Sequence, residues 1–350
     1  MAIFTTSNVS ISGIAAAVPL RIESNLDYDY VSEAERKLLV KTTGIHNRRM
    51  AAPGQTLTDL AQVAGNRLLD FLGWNRSEVD LLVLVTQSRD YVLPSSGVIM
   101  QQRLGLSHQC AAFDIGLGCS GYVYAMSVAM SMMQTGGFRK GLVVAGDISS
   151  SGTNRLDKST YPLFGDAATV TALEYNRDAA PVHFNLQSDG SGAETIIIPD
   201  GALRHPPTAG MYDVQEFEPG IVRSRRDLWL NGLDVFNFSV REAPPNIQQL
   251  CTQSGNALDT HDWLVMHQAN LLMNETIRKK LKFPAEKTPY SLGDFGNTSS
   301  ASIPLTIVSQ CSEAAATPQR WLLSGFGVGL SWGSMSISTN GFACMPVIEV

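Results

Sequence analysis

Several features are scarce or absent in this 350-residue sequence. The five cysteines, Cys110, Cys119, Cys251, Cys311 and Cys344, are scattered and form no C-x-x-C pair. That argues against a disulfide framework or a zinc site and fits a reducing compartment. The N-terminus carries no positive cluster, the first basic residue being Arg21, and no apolar run approaches the ~18 residues that cross a membrane. A cytoplasmic protein with no membrane partner is expected. Basic residues are in deficit, 26 Lys and Arg against 32 Asp and Glu, so nucleic acid is not an expected partner. Low-complexity tracts and long charged runs are missing. With 44% hydrophobic and only 17% charged residues, the chain can bury a sizeable core. At roughly 150 residues per domain, its length suggests about two units.

What is present is laid out twice. "LLVLVTQ" (81–87) and "GLVVAGD" (141–147) are short apolar runs of the kind that form buried strands. Between them, "SGYVYAMSVAMSMMQ" (120–134) is small and apolar on nearly every side, which predicts a helix buried all round and ended by Gly136-Gly137. In the second half, "WLVMHQ" (263–268), "SIPLTIVSQC" (302–311) and "WLLSGFG" (321–327) repeat the strand, helix and strand. Val85 to Cys119 spans 34 residues and Val265 to Asn297 spans 32; Cys119 to Val143 spans 24 and Asn297 to Leu322 spans 25. Two related α/β halves are expected, residues 1–178 and 179–350, joined at the polar "YNRDAAP" (175–181). The Pro- and Gly-rich stretch 199–232, with "RSRR" at 223–226, reads as a loop insertion.

"DIGLGCSGYVYAM" (114–126) matches G-x-G-x-x-G, the fingerprint of a dinucleotide site, and Asp147 follows at a strand end. Yet the equivalent turn "GDFGNTSS" (293–300) lacks that spacing, and the fingerprint leaves Cys119 unexplained. "GLSWG" (329–333) fits the hydrolase elbow, but no Asp or His follows it, so it reads as chance or a turn between strands. A thiol where a glycine-flanked turn enters a helix is expected to have a lowered pKa, from a free value of ~8.5. The other four cysteines read as core residues. His267 ends an apolar strand, where α/β folds open their crevices. Asn297 stands where Cys119 stands in the first half; alone, either residue could be structural.

Cys, His and Asn together allow two chemistries. In a cysteine hydrolase, the His is a base oriented by the Asn. In a carbon–carbon condensing enzyme, both donate hydrogen bonds to a thioester oxygen and stabilise the enolate left when a malonyl unit loses CO2. The duplicated layout favours the second, because it sets two helix N-termini across one cleft.

The sequence resembles the thiolase-fold condensing enzymes, most closely the β-ketoacyl-acyl-carrier-protein synthase III family. The resemblance covers essentially the whole chain and rests on "TTGIHNRR" (42–49), "FDIGLGCSGYVYA" (113–125), "FGDAATVTALE" (164–174), "SDGSGA" (188–193), "HQAN" (267–270), "GNTSSASIP" (296–304) and "FGVGLSWGS" (326–334). It implies a five-layer αβαβα fold, a homodimer and no cofactor, with coenzyme A or phosphopantetheine thioesters as substrates. It also implies that Cys119 takes an acyl group and that His267 and Asn297 drive decarboxylative condensation with malonyl-acyl-carrier protein to a 3-oxoacyl product. The backbone N–H groups of Cys119 and Val328 would form the other oxyanion hole. Glycine is usual at the Val328 position, and a backbone donor survives that change.

Two departures bear on the donor. Family members carry Trp-x-x-x-Arg before "TGI" to hold adenine; those places are Leu38 and Thr42 here. Leu272 stands where many members have an arginine that docks the carrier protein. Acyl-carrier-protein donors are therefore expected to outperform acyl-CoA. Arg223, Arg225 and Arg226, or Arg278, Lys279 and Lys280, would supply the basic docking surface, and Asn270 would contact substrate. Leu93 is the candidate for lining the acyl pocket. The alternative is a specialised acyltransferase or ketosynthase of secondary metabolism or glycan modification, including thioesterase-like or O-acylating relatives.

Overall fold

The computed structural model describes residues 2–350. In chain order the main strands are β1 (Ala2–Thr6), β2 (Val9–Val18), β3 (Leu81–Val85), β4 (Ala111–Ile115), β5 (Lys140–Asp147), β6 (Ala167–Tyr175), β7 (Val182–Ser188), β8 (Trp263–Met266), β9 (Pro318–Gly327), β10 (Ser331–Asn340), β11 (Ala343–Cys344) and β12 (Ile348–Glu349). The main helices are α1 (Glu33–Thr43), α2 (Leu57–Leu72), α3 (Ser96–Arg103), α4 (Gly121–Met133), α5 (Gly232–Ser254), α6 (Leu271–Leu281) and α7 (Ser302–Gln310). One sheet runs β11-β2-β6-β5-β3-β4, with β12 also on β2; the other runs β1-β7-β10-β9-β8.

The strands are apolar on both faces because both faces are covered. On β3, Val83 and Val85 point to the layer between the sheets, while Leu82 and Leu84 pack with Leu60, Leu68 and Met100 of the outer helices α2 and α3. On β9, Trp321 and Leu323 face inward, and Leu322 packs outward with Ile247 and Ile277 of α5 and α6. Between the sheets lie α4, through Val123, Met126 and Met130, and α7, through Ile303 and Ile307. Each such buried side chain contributes about 1.5–3 kcal/mol, which is why a helix without a polar face is stable there. The result is the five-layer αβαβα arrangement that the resemblance implies.

Both expected strand–helix–strand units occur. β3 lies parallel to β5 with Val85 opposite Ala145, and β8 lies parallel to β9 with Met266 opposite Ser324. Ser331 of "GLSWG" begins β10, so that match is a turn between strands. The 178/179 division falls between β6 and β7, but the chain ends cross it. β1 pairs with β7, and β11 and β12 pair with β2, so each sheet takes strands from both sides. The 199–232 stretch is more ordered than a loop: Gln215–Glu218 and Ile221–Arg223 form a hairpin turning at Gly220 (φ 79°).

Candidate active site

Cys119 lies in the turn from β4 into α4, one residue before the N-cap Ser120. The glycines around it serve close packing. A Cβ on Gly118 would lie 2.5 Å from Gln87 Oε1 and 2.8 Å from Val328 Cγ1, and one on Gly121 2.5 Å from Val85 Cγ2. From the facing turn, a Cβ on Gly327 would lie 2.8 Å from Cys119 Sγ. The glycines let the two stretches interlock, with Val328 packing over Gly118 and Cys119 over Gly327. Ser120 Oγ and Ser331 Oγ, 2.6 Å apart, pin them, and Ser331 Oγ also donates to Val328 O at 2.8 Å. Asp147 presents no free carboxylate to a ribose. It accepts from Gln87 N (2.7 Å), Thr86 Oγ1 (2.9 Å) and Ser300 Oγ (3.1 Å), which disposes of the dinucleotide reading.

The thiol departs from expectation. Burial in the dense turn pushes the Cys119 pKa up to about 11, the Asp147 charge adds to the rise, and the Val328 backbone and Ser299 hydroxyl only oppose it. Burial outweighs the hydrogen bonds that the thiol receives, so Cys119 rests protonated.

His267 extends β8 by one residue, donating its N–H to Ser324 O at 2.8 Å. Its ring stands edge-on to Phe326, and Nδ1 lies 2.8 Å from Ser302 Oγ at the start of α7. Burial lowers its pKa to about 4, with the Ser299 backbone working the other way. The ring is neutral at pH 7. Nδ1 and the Ser302 hydroxyl share this hydrogen bond; in the tautomer in which the hydroxyl donates, Nε2 carries the proton and is a donor.

Asn297 is anchored across the two halves: its N–H donates to Leu163 O (2.9 Å), and its carbonyl accepts from Gly165 N (3.1 Å). Its side-chain Oδ1 accepts from Ser299 N at 3.0 Å. That orientation leaves the amide NH2 as a donor, and it has no partner among the described residues. Ser299 itself has φ 51°, in the left-handed region that disfavours a side chain. Cys119, His267, Asn297 and Val328 line one cleft of about 870 Å³. Ser299 and Ser302, which hold this constellation, stand in the "GNTSSAS" run but were not singled out from sequence. A serine run just before a buried helix was the available signal.

Comparison with known proteins agrees. Residues 113–190 match the family model "3-Oxoacyl-[acyl-carrier-protein (ACP)] synthase III", and residues 251–339 match its C-terminal counterpart. The β-ketoacyl-[acyl-carrier-protein] synthase III of Thermosynechococcus vestitus is 32% identical over 331 residues, 94% of this chain and 98% of the relative. The chain belongs to the β-ketoacyl-acyl-carrier-protein synthase III family. The synthase III of Xanthomonas campestris pv. campestris is likewise 32% identical, over 93% of this chain and 96% of its own. The crystal structure of a 3-oxoacyl-(acyl-carrier protein) synthase from Burkholderia xenovorans LB400 superposes with a TM-score of 0.93 at 34% identity, covering 99% of each chain.

The other sequence candidates of this synthase III family member fall unevenly. Asn270 lines the cleft and caps α6, its Oδ1 accepting from Met273 N at 2.9 Å. Leu38 and Thr42 lie on the exposed face of α1, outside the cleft lining. Leu93 is 83% exposed and does not line the cleft; its neighbours Tyr91 and Val92 do. The basic residues are mostly committed to the fold. Arg278 pairs in bidentate fashion with Glu275 at 2.7 Å and donates to Phe283 O. Lys280 donates to Val240 O, the carbonyl that Pro244 inside α5 cannot serve. Arg225 is paired with Asp200, and Arg223 lies over Trp229 with Asp157 beside it. Lys279, 70% exposed, lies 3.9 Å from Glu275 Oε2, and Arg226, at the cleft, remains open. Most of these pairings are not legible in the sequence, because their partners are distant in the chain. Among the described residues no helix is long and apolar enough to cross a membrane, and no group of three His, Cys, Asp or Glu could hold a metal ion.

Proposed function

We propose that Cys119, His267 and Asn297 divide the labour of a two-step condensation. The protein is an acyltransferase: it condenses an acyl thioester with malonyl-acyl-carrier protein to give a 3-oxoacyl-acyl-carrier protein and CO2. In the first step Cys119 Sγ attacks the thioester carbonyl, with the Cys119 and Val328 N–H groups receiving the oxyanion. The carbon–sulfur bond of the donor breaks, and the thiol proton of Cys119 leaves with the donor's sulfur. In the second step the malonyl thioester oxygen lies against His267 Nε2 and the Asn297 amide. Both are neutral donors, so they hold the enolate formed as CO2 departs without protonating its carbon. That carbon attacks the acyl group on Cys119 and frees the thiolate, which regains a proton.

The observation that carries this reading is one cleft holding a thiol beside a neutral, buried imidazole and an amide with its NH2 unpaired. The test is intact-mass analysis with a panel of acyl donors. The wild-type chain gains one acyl group, and Cys119→Ala gains none; an adduct surviving on another cysteine overturns the assignment. We further propose two structural halves meeting near residue 178, a cytoplasmic homodimer, and better use of acyl-carrier-protein than acyl-CoA donors. Leu38 and Thr42 offer no stacking face or fixed charge to adenine, a contact worth about 1–3 kcal/mol where present. Arg226, open at the cleft, and Lys279, exposed beside Glu275, are the cations available for carrier-protein docking.

A further inference from the structure

Arg48 is the one buried arginine or lysine among the described residues, and the two-step reaction makes no direct use of it. It stands on the short strand Asn47–Arg49, which pairs with Ile22–Ser24. Burying a guanidinium is costly unless its N–H groups find acceptors. Here the fork is spent. Nε donates to Asn25 Oδ1 (3.1 Å), Nη1 to Tyr161 O (2.7 Å) and Phe164 O (3.3 Å), and Nη2 to Glu23 Oε2 (3.3 Å). Glu23 Oε2 also accepts from Tyr161 OH at 2.6 Å, and the guanidinium lies 4.7 Å over the Tyr161 ring.

These contacts converge on one segment, residues 161–165, whose carbonyls are divided between two sides. Tyr161 O and Phe164 O go to Arg48, and Pro162 O goes to Asn25 Nδ2 (2.9 Å). Leu163 O instead accepts the Asn297 N–H (2.9 Å), and Gly165 N donates to Asn297 O (3.1 Å), so Phe164 and Asn297 form a parallel bridge. The residue before Asn297 rests on the arginine itself. A Cβ on Gly296 would lie 2.8 Å from Leu163 O and 3.0 Å from Arg48 Cγ. The segment is therefore a strap, clamped by Arg48 and Asn25 and carrying the backbone of Asn297. His267 is held elsewhere, by Ser324 O, Asn274 Nδ2 and Ser302 Oγ. An apolar side chain of similar volume would avoid the buried charge but strand the carbonyls of Tyr161 and Phe164. A lysine would keep the charge and lose the fork.

We propose that Arg48 is a positioning residue for the decarboxylation step: through residues 161–165 it fixes the backbone of Asn297, and so the aim of its amide. The experiment uses the full-length enzyme and two rates, adduct formation on Cys119 and release of labelled CO2 from malonyl-acyl-carrier protein. In Arg48→Lys, adduct formation should stay within about twofold of wild type while CO2 release falls about tenfold, the size of one good hydrogen bond. A double-mutant cycle decides whether the effect runs through Asn297. Added to Asn297→Ala, where the amide is already gone, Arg48→Lys should cost nothing further. Added to His267→Ala, it should cost as much as in the wild type. A general loosening of the fold would slow both backgrounds alike, and that result overturns the proposal. So does wild-type CO2 release in Arg48→Lys, or an equal fall in adduct formation. If Arg48→Lys does not fold, Glu23→Gln, which removes the charge facing Nη2, should give the same pattern at about threefold; no loss, or the same loss in both backgrounds, overturns the proposal there. The proposal rests on Asn297 as a donor to the enolate. Wild-type CO2 release in Asn297→Ala overturns both readings, whereas slow release there with a further loss from Arg48→Lys overturns this one alone.

Discussion

The two turns that enter the buried helices solve opposite problems. Before α4 the chain is stripped of side chains: Gly118, Gly121 and, facing them, Gly325 and Gly327 leave no room for a Cβ. Before α7 the chain is crowded with hydroxyls: Thr298, Ser299, Ser300 and Ser302 are all buried. On the proposed mechanism the first turn brings the Cys119 and Val328 N–H groups to one oxyanion, an approach that the missing Cβ atoms allow. On the same proposal the second aims His267 and Asn297 at another oxygen, and the Ser302 hydroxyl and the Ser299 N–H hold them. One duplicated plan thus yields a site of close approach and a site of hydrogen-bonded positioning.

Adding one methyl group to the bare turn should break the comparison most sharply. In Gly327→Ala the new Cβ would sit 2.6 Å from Cys119 Cβ, so the thiol or the Val328 N–H must move. Stopped-flow acylation should fall by about 10²–10³, the cost of a lost oxyanion donor, and overpacking should cost about 1–3 kcal/mol in urea unfolding. CO2 release from malonyl thioester should fall far less. A smaller effect is expected from the positioned turn: Ser302→Ala removes the Nδ1 partner of His267 and should slow decarboxylation about tenfold or less, with acylation unchanged. Equal losses in both half-reactions from either variant would dissolve the distinction. The smallest effect is one of pH. Because burial holds the Cys119 pKa near 11, iodoacetamide labelling should climb steadily above pH 9 with no plateau near neutrality. Between the ordinary thiol value of 9.0 and about 11 the unfolded chain loses this proton first, so stability should fall as pH rises through that window. A labelling plateau near pH 7 would restore the lowered pKa that the sequence suggests.

Much of this was legible in the chain. Continuous apolar runs such as 81–85 read as buried strands, and the uniform apolarity of 121–133 reads as a helix buried all round. The repeat spacing set Asn297 in the place of Cys119, and His267 was marked by its place at the end of an apolar strand. What escaped was tertiary bookkeeping. Nothing local to β1 says that it pairs with β7 in the opposite sheet. Nothing in "RKK" says that Arg278 faces Glu275 or that Lys280 serves a carbonyl freed by a proline in another helix. The direction of the thiol shift was missed because a helix N-terminus is visible in sequence and the burial that raises the pKa is not.

The central claim is that the two turns serve separate half-reactions, and measuring both half-reactions in His267→Ala and Asn297→Ala tests it most directly. Each variant should acquire its acyl group on Cys119 at close to the wild-type rate, yet release labelled CO2 from malonyl-acyl-carrier protein about 10²–10³ more slowly, a loss of roughly 3–4 kcal/mol. Decarboxylation at wild-type speed in both, or acylation lost alongside it, would contradict the account.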